Sequence, residues 1–257
     1  MKNSLPPEFD LTGKLAIITG SARGIGFHIA KGFARYGADI VLCDILEKEM
    51  EDARKEIASS GATVFAKITD VTKRQQVKEL VSEVEKKFKR IDILVNNAGI
   101  NIPQWSEEVT EENWDYMFDL NLKAAFFFAQ EVGKIMVRQK SGRIINISSQ
   151  AGSVGMIKRA AYCSTKGGLN QLTRVLATEW AQHGINVNAI SPTFVETKLS
   201  KPMLEDPSFK NYVFENLLIK KYGSPEDIVG GAIYLASKAS NLVTGHILHI
   251  DGGWTAH

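Results

Sequence analysis

The chain has little cysteine, no excess of either charge and no long apolar run. Two cysteines, Cys43 and Cys163, in 257 residues exclude a disulfide framework and lack the clustered Cys/His spacing of a zinc site, so a reducing, cytoplasmic setting and no metal are expected. Lysine and arginine number 31 against 29 acids, a net charge of +2. Such a chain raises no strong field of one sign, and nucleic acid is not an expected partner. The most apolar stretch, Ala124 to Ala129, runs straight into Gln130 and Glu131, far short of the roughly 20 residues that a spanning helix needs. Met1 to Asp10 carries Pro6, Pro7, Glu8 and Asp10 rather than the apolar centre of a secretion signal, and no membrane partner is expected.

What is present is an ordinary globular composition, 44% hydrophobic and 23% charged, at a length that buries roughly 70–75% of the unfolded surface. Short β-branched runs at Leu15–Thr19, Ile40–Cys43, Thr63–Ile68, Ile91–Val95, Arg143–Ile147, Ile185–Ile190 and Ile247–Ile250 alternate with stretches of helical period. The latter include Ile25–Tyr36, Glu47–Ser60, Arg74–Phe88, Trp114–Arg138 and Leu169–Gln182. Strand and helix in strict alternation imply an α/β fold, a doubly wound parallel sheet of about seven strands flanked by helices. No Gly/Ser/Pro-rich linker or repeat interrupts the pattern, so residues 1–257 read as one domain. Residues 198–223, with a helical-looking Phe209–Leu218, follow the sixth strand as a long excursion and read as a substrate lid.

The first strand leads into Thr19-Gly20-Ser21-Ala22-Arg23-Gly24-Ile25-Gly26 and then a helix. Glycines there permit a tight turn and close backbone approach, and a helix amino terminus offers N–H groups to a pyrophosphate. The spacing is G-x-x-x-G-x-G rather than the commoner G-x-G-x-x-G. The second strand ends at Asp44, 24 residues beyond Gly20, where a carboxylate meets the adenosine ribose of a Rossmann-bound dinucleotide. Its charge would repel a 2′-phosphate, which favours NAD over NADP, although Arg23 could pair with one. Helix capping is the alternative role for Asp44. Asp70-Val71 and Asn96-Asn97-Ala98-Gly99 close the third and fourth strands, placed to wall the adenine and the nicotinamide ribose.

After the fifth strand come Ser148, Ser149 and then Tyr162-Cys163-Ser164-Thr165-Lys166. Four helical steps of 100° leave Tyr162 and Lys166 about 40° apart on one face. An ammonium beside a phenol favours the phenolate, so Lys166 is expected to lower the Tyr162 pKa towards the range where proton exchange is efficient. Ser149 can hydrogen-bond the reacting oxygen. Taken together, the glycine loop, Asn96-Asn97-Ala98-Gly99, Asn121 in Asn121-Leu122, Ser149 and Tyr162-x-x-x-Lys166 resemble the short-chain dehydrogenase/reductase family over essentially the whole chain. The resemblance implies that Tyr162 is the general acid/base, that Lys166 also holds the nicotinamide ribose, that Ser149 rather than Ser148 orients the carbonyl, and that Asn121 supports a water-linked proton path. It also implies that Pro192, Val195 and Thr197 hold the carboxamide, in a segment where Thr193 replaces the family's usual glycine.

The same resemblance implies hydride transfer between NAD and a secondary alcohol or ketone. Residues flanking the site include Asn101, Gln104, Trp105, Gln150, Lys158, Arg159, Phe194, Glu196, Lys198 and Lys201; of these Gln150, Arg159, Phe194 and Trp105 are the substrate candidates. Their amides and cations, with the Asp251-Gly252-Gly253-Trp254 tail, resemble NAD-linked sugar, polyol and sugar-acid dehydrogenases. The alternatives are a 3-oxoacyl-[acyl-carrier-protein] reductase using NADPH, and an NAD-binding regulatory protein without chemistry. Relatives of this kind are usually homotetramers, with the Trp114–Arg138 and Tyr162–Gln182 helices pairing across two-fold interfaces.

Overall fold

The computed structural model describes residues 6–197 and 200–256. In chain order these form β1 (Leu15–Thr19), α1 (Gly24–Arg35), β2 (Asp39–Asp44), α2 (Glu47–Ala58), β3 (Val64–Ile68), α3 (Arg74–Phe88), β4 (Ile93–Asn96), α4 (Glu111–Phe118), α5 (Ala124–Gln139), β5 (Gly142–Ile147), α6 (Ala160–Trp180), β6 (Ile185–Pro192), α7 (Lys201–Leu204), α8 (Pro207–Asn216), α9 (Pro225–Ala236) and β7 (Ile247–Ile250). The seven strands make one sheet of order β3-β2-β1-β4-β5-β6-β7, and every neighbouring pair is parallel.

Strands buried on both faces carry continuous apolar runs, and β1 and β4 are buried at every residue. Alternation along β1 sends Ile18 to one side and Ile17 to the other. Ile18 joins Ile29, Phe33, Met50, Ile57 and Ile233, the layer of α1, α2 and α9. Ile17 joins Val77, Leu80, Phe128, Val132, Met136 and Leu176, the layer of α3, α5 and α6. Phe33 and Phe128 are almost fully buried, and truncating either to alanine would cost about 3–5 kcal/mol. Strand order reverses between β1 and β4, so a crevice opens where their carboxyl ends diverge.

Two expectations need correction. The helix over Trp114–Arg138 is two helices joined by a π-helical turn at Asp119–Lys123. The helix expected over Tyr162–Gln182 starts at Ala160 and ends at Trp180. The excursion after β6 holds α7 and α8, with Asp206 capping α8 by accepting the Phe209 N–H at 2.9 Å. A Val195–Gly223 bridge pins its two ends. Its interior forms a separate apolar cluster, in which Val213 and Leu217 pack with Trp254, Phe194, Phe209 and Tyr212. Lys198, at the start of this excursion, lies outside the described residues. Among the described residues no helix is long and apolar enough to cross a membrane.

Candidate active site

Thr19 ends β1 and joins it to the turn after β4. Its hydroxyl accepts the N–H groups of Asn97 and Ala98 at 2.9 and 3.0 Å, while the Asn97 amide donates to the carbonyls of Thr19 and Gly20, both at 2.9 Å. Gly20 has φ +61°, and a Cβ there would stand 2.9 Å from the Ala98 Cα. At Gly26 a Cβ would lie 2.3 Å from the Gly20 carbonyl oxygen. Neither position admits a side chain without moving backbone.

The loop is tied to β2 as well. Buried Ser21 accepts the Cys43 N–H at 2.9 Å. Asp44 accepts the Ala22 N–H on Oδ2 at 2.9 Å and those of Ile45 and Leu46 on Oδ1 at 2.7 and 3.1 Å. The carboxylate at the end of β2 thus braces the turn into α2 without capping the helix, whose N-cap is Leu46 with no side-chain cap bond. Arg23 is exposed at the N-cap of α1 and Ile25 packs against the core. Asp70 is occupied by the Thr72 N–H and hydroxyl at 2.9 and 2.6 Å, and Val71 is buried.

These residues fit a dinucleotide. A Cβ built on Gly24, at φ +60°, would meet the Thr197 Cγ2 at 3.7 Å, an ordinary contact distance that brings the segment after β6 up to the glycine loop. On that segment the hydroxyls of Ser191 and Thr193 are buried with no hydrogen-bond partner, as expected where a ligand amide would pair. Pro192 and Val195 are buried between them and Thr197. Thr197 is tied to Ser200 through its N–H and hydroxyl.

Beyond β5 the two serines separate. Ser148 donates to the Asn170 Oδ1 at 2.6 Å inside the fold. Ser149 accepts the Ala151 N–H at 3.2 Å, and its hydroxyl lies close enough to the Tyr162 phenol to favour the phenolate. Lys166 is 5% exposed and donates to the Ile147 carbonyl at 2.8 Å, with its Nζ 5.7 Å from the centre of the Tyr162 ring. Asn121, inside the π-helical turn, accepts the Ile100 N–H and donates to the Ile100 carbonyl, both at 2.8 Å, and donates to Thr165 at 3.2 Å. A Cβ on Gly99 would lie 3.1 Å from the Asn121 Oδ1 and 3.7 Å from the Lys166 Nζ. The turn after β4, the π-helical turn and α6 thus converge on one point.

The acidity of the phenol departs from expectation. Tyr162 is only partly exposed, and desolvation pushes its pKa above the usual value; Ser149 and the positive charge of Arg159 act in the opposite direction. Lys166 is itself desolvated, which brings its pKa down to about 8, and its Nζ is turned to the Ile147 carbonyl. Burial thus holds the phenol above its ordinary range, against the lowering expected from Lys166, with Ser149 and Arg159 opposing the shift.

Of the substrate candidates, Gln150 and Arg159 are 2% and 6% exposed, and Phe194 packs edge-on to Phe209 and Trp254 at 5.2 and 5.5 Å. Trp105 faces outward, 46% exposed beneath the Lys158 Nζ at 4.8 Å. Sequence reasoning missed Thr19, Thr165 and Asn170, the braces of Asn97, Asn121 and Ser148. Thr19 alone carried a signal, a hydroxyl at a strand end directly before the glycine loop.

Residues 20–255 match a family model described as enoyl-(acyl carrier protein) reductase. An NAD-dependent glycerol dehydrogenase from Listeria innocua is 40% identical over 96% of each chain. A 5-keto-D-gluconate 5-reductase from Escherichia coli is 37% identical over 95% of this chain and 96% of its own length. A solved gluconate 5-dehydrogenase from Burkholderia cenocepacia, in complex with NADP and tartrate, superposes with a TM-score of 0.94 at 34% identity, covering 98% of both chains. With that sheet order, glycine loop and Tyr162/Lys166 pairing, the chain belongs to the short-chain dehydrogenase/reductase family and is an oxidoreductase of CH–OH groups.

Proposed function

We propose that the protein interconverts a secondary alcohol and a ketone on a sugar, polyol or sugar acid, with NAD as the preferred partner and Tyr162 as the proton carrier. The observation that carries this reading is the convergence of Ser149, Tyr162, Lys166 and Asn121 on the turn after β4, which is itself bonded to the glycine loop. A bound nicotinamide supplies or accepts the hydride. Tyr162 gives its proton to the carbonyl oxygen in reduction and takes one from the hydroxyl in oxidation, a contribution of about 10²–10⁴ in rate. Ser149 holds that oxygen in line with the phenol.

Lys166, at the Ile147 carbonyl, stands where the ribose hydroxyls of the dinucleotide would reach it. Asn121 braces the turn after β4 against α6 and supports a water-linked relay to Lys166. Gly20, Ser21, Gly24, Ile25 and Gly26 form the phosphate turn; Asp70, Val71, Asn97, Ala98 and Gly99 wall the base and the second ribose; Pro192, Val195 and Thr197 hold the carboxamide. Asp44 supports NAD, since a 2′-phosphate would meet its charge. The lid is residues 198–223, and Gln150, Arg159, Phe194 and Trp105 contact substrate.

We extend the proposal to a cytoplasmic homotetramer built on the α5 and α6 faces. Exposed Val175 on α6 and free Cys43 and Cys163 support those two readings. The test is a panel of sugars, polyols, aldonates and 3-oxoacyl thioesters followed at 340 nm with NAD, NADH, NADP and NADPH. Turnover of a hydroxylated substrate with NAD or NADH is the expected result. Preference for NADPH with a thioester would replace this reading by the acyl-chain reductase.

A further inference from the structure

We propose that Tyr212, on the excursion after β6, hydrogen-bonds an oxygen of the substrate other than the one that reacts, and so helps decide which alcohols the protein accepts; the inference deepens the function proposed above and rests on it. Two half-buried tyrosines of the excursion use their hydroxyls differently. Tyr222 donates to the Leu204 carbonyl at 2.9 Å and serves the fold. The Tyr212 hydroxyl has no hydrogen-bond partner among the described residues. Tyr212 is held instead by its ring, edge-on to Trp254 at 5.7 Å and tilted against Phe209 at 6.2 Å. Both of those rings in turn meet Phe194 edge-on. Packing therefore fixes where the phenol sits and leaves its hydroxyl uncommitted.

The place it occupies adjoins the chemistry. Val213, the next residue of α8, is fully buried, and the apolar cluster around it takes in Val154 and Met156. Both belong to the connection between Ser149 and Tyr162, so α8 packs against the stretch of chain that joins those two hydroxyls. Phe194, in the same cluster, is the neighbour of Thr193, whose buried hydroxyl is unpartnered. Electrostatics agree with this placement. Burial raises the pKa of both Tyr212 and Tyr162, and behind it the same two neighbours act on each phenol, Arg159 downward and Cys163 upward. One phenol comes from α6 and the other from α8, and they share one neighbourhood.

The chemistry of the group limits what it can read. Because desolvation holds the Tyr212 pKa above its ordinary value, the hydroxyl keeps its proton through the neutral range and can both donate and accept. Such a group pairs with a substrate hydroxyl or carbonyl oxygen. A substrate that places hydrocarbon there desolvates the phenol without pairing it, and that penalty discriminates more sharply than the bond attracts. Selection therefore acts against alcohols that carry no second oxygen.

The experiment compares wild type, Tyr212→Phe and Tyr222→Phe with NAD on sorbitol, gluconate and butan-2-ol, the last of which carries no oxygen beyond the reacting one. Tyr212→Phe keeps the ring and removes only the hydroxyl. It should lower kcat/KM for sorbitol or gluconate by about tenfold, chiefly through KM, the scale of one lost hydrogen bond. Its kcat/KM for butan-2-ol and its dissociation constant for NADH should stay within about twofold of wild type. Thermal unfolding should leave the midpoint of Tyr212→Phe unchanged and lower that of Tyr222→Phe, since only the second loses a bond inside the fold. An equal loss on all three substrates, or a lowered midpoint that accompanies the rise in KM, assigns Tyr212 a packing role and overturns the proposal. If wild type oxidises sorbitol or gluconate and Tyr212→Phe matches it, only the Tyr212 assignment falls. If wild type oxidises neither, the sugar reading falls and the inference falls with it.

Discussion

The glycine loop and the excursion over residues 200–223 are held in place by different means. The loop is positioned by hydrogen bonds from polar side chains to its main chain and to β2. Asn97 donates to two of its carbonyls, Asp44 and Ser21 tie it to β2, and its glycines exclude side chains within about 3 Å of neighbouring atoms. The excursion is positioned by side chains drawn from distant parts of the chain, with Phe194, Phe209, Tyr212 and Trp254 packed ring to ring. Such directional hydrogen bonds tolerate little displacement, whereas an apolar cluster under short helices opens at lower free energy than the sheet. A site that grips a constant dinucleotide at one end and adapts to a substrate at the other is served by that division.

The comparison is broken most severely at Gly26. A valine there would place atoms against the Gly20 carbonyl and the Asn97 amide, so Gly26→Val should weaken NADH binding by more than about 1000-fold in a fluorescence titration. Retained affinity would mean that the loop is soft after all.

Lys166 gives the next largest effect, read through pH in the absence of dinucleotide. Its folded pKa, about 8, is below its ordinary value of 10.5. Below pH 8 the lysine is charged in both states and its burial opposes folding. Between about 8 and 10.5 the unfolded chain binds the extra proton, so this group's contribution to stability rises with pH. The stability of Lys166→Met relative to wild type should therefore fall by about 3 kcal/mol from pH 7 to pH 10.5, measured by denaturant unfolding. A pH-independent difference would show that the lysine is not desolvated.

On the excursion, Val213→Ala removes a fully buried side chain and should cost about 2 kcal/mol. Hydrogen exchange should place the loss within residues 200–223, with protection of β1 and β4 unchanged. Loss spread evenly over the sheet would contradict the division. The smallest expected effect belongs to Asp44→Asn, which removes the charge while keeping one acceptor for the loop. Discrimination between NADH and NADPH should narrow by about tenfold, about 1.4 kcal/mol; unchanged discrimination would remove Asp44 from the cofactor argument.

Legibility in the sequence follows the same division. The glycine loop, Asp44 and Tyr162 with Lys166 were readable because each depends on short spacings along one strand end or one helix turn. The break at Asp119–Lys123 was not, because the apolar period runs through it unbroken and a π-helical turn inserts one residue without a proline or glycine to mark it. The direction of Lys166 was also hidden. Helical arithmetic places two residues on one face, but side-chain torsions decided that the ammonium turns to the Ile147 carbonyl. Arg159 bridges to Gln104, 55 positions earlier, and no local pattern reports such a pairing.

Turnover and NADH affinity of Tyr162→Phe, measured on the same preparation, test the assignment of the proton to this phenol most directly. Turnover should fall by about 1000-fold or more while the dissociation constant for NADH stays within about threefold of wild type. Near-native turnover in a protein that still binds NADH would contradict the account.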